Sequence, residues 1–175
     1  MKFDPLIYDK WYDENWETFM QEARILQEAG IENPAAEIGA GTGRFCEALK
    51  IDVAVDISRE MLELARNRAR EVVVGSACSL PFRDRSFRFT VFAFSLSFIG
   101  CKAEAISEAR RISEFTVVLD FAKEDEYFAE LKAQYGGIKP FNPYEINPRG
   151  LLFIRHFTLN LSGKEVSLQL IKWKN

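Results

Sequence analysis

The sequence predicts an α/β fold: a doubly wound, mostly parallel sheet with helices on both faces, closed by a C-terminal antiparallel hairpin. Three observations carry this. Short β-branched runs alternate with stretches of helical spacing. A glycine-rich turn joins the first such run to the helix after it. Residues 151–173 read as two long strands around a glycine turn. The 175 residues suit one domain, long enough to bury roughly 70% of the surface its unfolded chain would expose.

Each element follows from local pattern. Trp16, Phe19, Met20, Ala23 and Leu26 recur at helical spacing, and Gly30 supplies the stop. AAEIGAGTGRF reads as a strand, a glycine turn and a helix through Phe45 and Leu49. IDVAVD is a second strand, and Ser58 caps a helix whose Met61, Leu62, Ala65 and Ala69 share a face. EVVVG is a third strand, and FTVFAFS a fourth beyond the proline-containing SACSLPFRDRSF. Ala105, Ile106, Ala109 and Ile112 mark the next helix, FTVVLDF a fifth strand, and Tyr127, Phe128, Leu131 and Tyr135 a helix stopped by Gly136 and Gly137. LLFIRHFTLNL and EVSLQLIKW form the hairpin, with the turn around Ser162 and Gly163. No repeat or linker divides the chain, so residues 1–175 are read as one domain. Residues 1–30 are a helical segment able to act as a lid, 31–121 a ligand-binding core, and 122–175 a helix and closing hairpin.

Composition narrows the function. With 47% hydrophobic residues, 28% charged and a net charge of -3, disorder is excluded and no overall field favours nucleic acid or an anionic membrane. No apolar run reaches the ~18 residues of a membrane helix and no signal core opens the chain, so a cytoplasmic protein is expected. Cys46, Cys78 and Cys101 are widely spaced without a CxxC pair, and they are read as reduced thiols. The single histidine, His156, argues against a histidine metal centre or a Ser-His-Asp triad; no metal site is expected.

A parallel sheet binds ligands beyond the carboxyl ends of its strands, where strand order reverses. The exit loop of the first strand is Gly39-Ala40-Gly41-Thr42-Gly43, and Asp56 ends the second strand seventeen residues after Gly39. Bare backbone admits a ligand closely, and an acid at that place can accept both ribose hydroxyls, so a nucleoside-containing ligand is implied. A dinucleotide fingerprint needs a small residue at position 44, which is Arg44, and the Walker lysine is absent. A nicotinamide oxidoreductase is therefore the weaker reading.

EIGAGTGRF, VAVDIS and VVGSACSLPFRDRSF together resemble the first three motifs of the class I S-adenosylmethionine-dependent methyltransferases, small single-domain members with a Rossmann-like sheet. YDKWY is similar to the start of many of them, and the likeness spans about residues 3–121. It implies S-adenosylmethionine as cofactor, with Glu37, Gly39, Gly41 and Gly43 around its methionine part. It further implies Asp56 on the ribose, Ile57 on the adenine, and Ala40, Ala77, Cys78 and Ser95 as neighbours. Ser76 stands where the family usually has an acid for the adenine amino group, and a serine accepts there without charge assistance. Arg88 and the short ARRISEF are further departures from the family pattern.

Methyl transfer is an in-line displacement in which alignment can supply much of the acceleration. No catalytic base is assigned: Ser95 and Ser97 follow the fourth strand without His, Asp or the Asn-Pro-Pro-Tyr element of nucleic-acid enzymes. Asn142-Pro143-Tyr144 lies after the fifth strand and is read as a proline-marked loop. Arg66, Arg68 and Arg70 are read as solvating the end of a helix. Tyr8, Trp11 and Tyr12 either fold over the cleft as a lid or pack as core. The expected acceptor is a small molecule bound near Tyr8, Trp11, Tyr12, Ser97 and Tyr144, with no membrane partner and no nucleic acid. The alternative is a non-catalytic cofactor-binding module with a regulatory or scaffold role.

Overall fold

The computed structural model describes residues 4–161 and 163–175; Ser162, expected in the hairpin turn, lies outside them. Helices α1 (Pro5–Glu14) and α2 (Trp16–Gln27) precede the sheet. There follow β1 (Ala35–Ile38), α3 (Arg44–Leu49), β2 (Val53–Asp56), α4 (Arg59–Ala65) and β3 (Glu71–Val74). After them come β4 (Phe87–Ala93), α5 (Lys102–Ile112), β5 (Ser113–Phe121) and α6 (Glu126–Tyr135). The hairpin is β6 (Leu151–Leu161) and β7 (Lys164–Lys174).

Helix α1 adds to the sequence reading. The Asp4 carboxylate accepts from the Leu6 and Ile7 amides and Pro5 occupies the first turn, a start signal that an Asp-Pro pair carries locally. Ser58 caps α4 by accepting from the Met61 amide, as expected, but the helix stops at Ala65, short of Ala69.

The seven strands run in the order β3-β2-β1-β4-β5-β7-β6. Strands β1 to β5 pair in parallel, while β7 is antiparallel to both β5 and β6. Every residue of β1 is buried, which explains why AAEI reads as an unbroken apolar run around one acid: helices cover both faces. One apolar layer gathers Phe19, Leu26, Phe45, Leu62 and Phe128 beneath α2, α3, α4 and α6. The other gathers Ile38, Phe92, Ile106, Ile112 and Trp173 around α5. Each fully buried side chain of this size contributes about 1.5–3 kcal/mol. Because β1 sits between β2 and β4, strand order reverses there, and a crevice opens at the carboxyl ends of these strands. Among the described residues, no helix is long and apolar enough to cross a membrane.

Candidate active site

The glycine loop leaves β1 pinned to its neighbour: the Gly39 and Ala40 amides donate to the Val55 carbonyl at 2.8 and 3.0 Å. Gly39 and Gly41 both have positive φ, +71° and +55°. A Cβ on Gly39 would lie 2.6 Å from the Ser95 Cβ, and one on Gly41 would press on the Tyr8 ring at 3.2 Å. Only glycine meets both demands. The Asp56 carboxylate organises the same loop, accepting from the Gly41 amide at 2.8 Å and the Ser58 amide at 2.8 Å. Each oxygen has one amide partner here and keeps capacity for another.

These residues form one end of a cavity of about 700 Å³. Ile57, 76% exposed, lies at its rim with Ser76, Ala77 and Cys78. The wall continues through Ser95, whose Oγ donates to the Ile38 carbonyl at 2.7 Å. The other end is aromatic and aliphatic, with Phe94, Phe121, Tyr127 and Leu168 on its wall. Phe94 holds a positive φ of 53°, uncommon for a bulky residue and a mark of a position fixed by its surroundings.

The N-terminal aromatics form part of the cavity wall. Tyr8, Trp11 and Tyr12 all line it, and the Tyr8 and Tyr12 hydroxyls share a hydrogen bond of 2.8 Å. Tyr12 also packs edge-on against Phe19 and Trp11, so it is core and cavity wall at once. What holds α1 in place is Asp9. Its carboxylate accepts from Arg44 Nε and Nη2 at 2.9 and 2.6 Å, and from Arg68 Nη1 and Nη2 at 2.5 and 2.9 Å. Burial raises the Asp9 pKa, but the hydrogen bonds from the two guanidinium groups outweigh it and hold the carboxyl well below the usual range. Arg68 also donates to the Thr42 carbonyl in the glycine loop at 3.0 Å. This corrects the solvated reading at Arg68, which ties α1, the glycine loop and the segment after α4 together, while Arg66 and Arg70 are exposed.

Five residues expected at the site do not reach the cavity wall. Glu37 is buried behind the loop, where it accepts from the Cys46 thiol at 3.0 Å. Burial, opposed by that bond, pushes its pKa up to about 8. Ala40 spends its amide on Val55, and Gly43 backs onto Ala65, whose Cβ is 3.0 Å from where a Gly43 Cβ would stand. Ser97 is buried and donates its amide and hydroxyl to the Asp120 carboxylate at 3.0 and 2.5 Å. Tyr144 is 81% exposed on the Pro143–Glu145 turn. For these last two, spacing along the chain gave a place near the cleft, while the short 3-10 turns Leu96–Phe98 and Pro143–Glu145 direct them elsewhere.

The expectation of three reduced thiols is corrected as well. Cys78 and Cys101 form a disulfide, with Cα atoms 6.0 Å apart. The loops after β3 and β4 meet at the carboxyl edge of the sheet, a proximity that a separation of 23 residues does not reveal. Both cysteines line the cavity; Cys46 stays free and buried.

Sequence reasoning missed Glu22. It lies on α2, is 7% exposed and lines the cavity. Its signal was present: with Phe19, Ala23 and Leu26 it occupies the buried helical stripe, where a charged residue is out of place.

Residues 36–114 match a family model described as a methyltransferase domain. The chain is 37% identical over 105 residues to an uncharacterized protein of Methanocaldococcus jannaschii, covering 60% of this chain and 51% of that one. It is 33% identical over 84 residues to a demethylmenaquinone methyltransferase of Thermotoga maritima, covering 43% and 37%. The chain thus spans about half the length, or less, of the curated relatives it matches. A crystal structure from Thermotoga maritima, described as a SAM-dependent methyltransferase and possible histamine N-methyltransferase, superposes with a TM-score of 0.81 at 25% identity, covering 95% of this chain and 93% of that one. By glycine loop, sheet order and structural likeness the chain has the fold of the class I S-adenosylmethionine-dependent methyltransferases, and its residues 36–114 match a methyltransferase domain.

Proposed function

We propose that this chain transfers a methyl group from S-adenosylmethionine to a small, largely apolar molecule. The observation that carries this reading is one continuous cavity that joins the glycine-loop end to an aromatic end. The cofactor end fits its ligand: side-chain-free backbone at Gly39 and Gly41, a carboxylate with spare acceptor capacity at Asp56, and an exposed apolar face at Ile57. Asp56 would hold the ribose hydroxyls, Ile57 and Ala77 would flank the adenine, and the bare backbone at Gly39 and Gly41 would lie against the methionine part. Once bound, the cofactor supplies an electrophilic methyl on a sulfonium, with a neutral thioether as leaving group. The chain contributes alignment. α1, latched through Asp9, covers the crevice and excludes water, while the aromatic wall holds the acceptor against the cofactor end. The small acceptor named for the Thermotoga structure is in keeping with a cavity of this size.

Calorimetry with S-adenosylmethionine, S-adenosylhomocysteine and NAD tests the cofactor. The first two should compete for one site and NAD should not bind; saturable NAD binding alone would overturn the assignment. Incubation with a pooled metabolite extract should then yield S-adenosylhomocysteine. Tight binding without any turnover would instead make the chain a cofactor-binding module.

A further inference from the structure

The acceptor end of the cavity contains a feature that alignment alone does not need. Glu22 is nine-tenths buried, lines the cavity, and no described residue hydrogen-bonds or ion-pairs with its carboxyl. A buried carboxylate without a partner is costly, so its presence in the apolar stripe of α2 points to a partner that arrives from outside. The nearby groups place it at the aromatic end. Its charge acts on Tyr8 and Tyr12 of α1, and it is the first charged neighbour of Tyr127 on α6. Glu22, Asp56 and Glu60 are the charged side chains of the cavity wall, and no lysine, arginine or histidine is among its described residues. An anionic acceptor would therefore find no counter-charge. A cation would find both a carboxylate and a wall that includes Tyr8, Trp11 and Tyr127.

We infer that the methyl acceptor is a compact amine with an apolar body, and that Glu22 binds its ammonium group and takes up one of its protons. The inference rests on the methyl-transfer reading above and deepens it. As the proton passes to the Glu22 carboxylate, the nitrogen lone pair is freed. The N–C bond then forms as the S–C bond breaks, and the positive charge moves from sulfur to nitrogen. Burial, which pushes Glu22 up to about 8, makes it a better proton acceptor than an exposed carboxylate.

Three probes of one skeleton test this: 2-phenylethylamine, 2-phenylethanol and 3-phenylpropionate, titrated into the protein saturated with S-adenosylhomocysteine. The amine should bind roughly tenfold or more tighter than the other two. Glu22→Gln keeps the shape and removes the charge. It should weaken the amine by roughly 10- to 100-fold and leave the alcohol within about threefold. S-adenosylhomocysteine affinity should stay within about twofold, since no cofactor contact is assigned to Glu22. The inference falls if the wild-type protein shows no preference for the amine, or if Glu22→Gln weakens S-adenosylhomocysteine as much as the amine. Failure of S-adenosylhomocysteine to bind the wild-type protein would instead bring down the methyl-transfer reading itself, so the two failures are separable.

Discussion

At the glycine-loop end the cavity wall is built on Gly39 and Gly41, whose lack of side chains leaves backbone facing the space, and is ordered by one carboxylate. At the aromatic end it is lined by residues with bulky side chains, contributed by α1, α2, the turn after β4, α6 and the C-terminal hairpin, from Tyr8 to Leu168. A backbone wall tolerates little change, because its shape is set by positive φ angles and by amides already paired. A side-chain wall can be remade one residue at a time while the sheet beneath it stays fixed. The difference teaches why the family could be assigned from short motifs while the acceptor had to be argued from the fold.

The comparison breaks most sharply at Gly41. Gly41→Val forces a β-branched side chain into a positive-φ position against the Tyr8 ring; it should cut S-adenosylhomocysteine affinity by roughly 100-fold or more. Calorimetry measures this, with circular dichroism to check that the sheet persists. Unchanged affinity would mean that the backbone wall is not where the cofactor lies.

Asp56→Ala comes next. It removes the acceptor for the Gly41 and Ser58 amides and the partner assigned to the ribose, and should weaken the cofactor by about 1.5–3 kcal/mol. The amine probe should be far less affected, because its assigned contacts lie at the other end. Equal losses for both ligands would dissolve the distinction between the two ends.

Asp9→Ala tests the latch that joins them. Arg44 and Arg68 lose their shared, largely buried partner, and the protein should lose roughly 1.5–3 kcal/mol in denaturant melts. The depressed Asp9 pKa adds a pH signature. Its stabilisation is complete above the unfolded carboxylate pKa of about 3.9, and is lost as pH falls through the lower folded value. The variant should therefore show a shallower loss of stability below about pH 4 than the parent. Identical acid profiles would show that the ion pairs do not fasten α1. Deleting the chain before Asp13 is a poorer probe, since Tyr12 belongs to the core and the deletion would strip it.

The smallest effect is expected at Tyr144, exposed and away from the cavity. Tyr144→Ala should leave stability within about 0.5 kcal/mol and turnover unchanged. A large drop in turnover would extend the acceptor site beyond the cavity described here.

The sequence by itself determined the parts whose physics is local. Alternating β-branched runs and helical stripes gave the strands and most helices, and the Gly39 to Gly43 loop with Asp56 pointed to the end of the cavity proposed for the cofactor, because glycine's freedom at φ and an acid at a strand end act within a few residues. Ser58 as a cap was legible for the same reason. Only the tertiary structure decided what depends on distant segments meeting. The topology of the sheet brought Cys78 to Cys101, the 3-10 turn after β4 brought Ser97 to Asp120, and the docking of α1 paired Asp9 with Arg44 and Arg68. Glu22 stands between the two cases. Its misfit in an apolar stripe is written in the sequence, but that the stripe faces a cavity, and not sealed core, follows only once α1, α6 and the hairpin close around it.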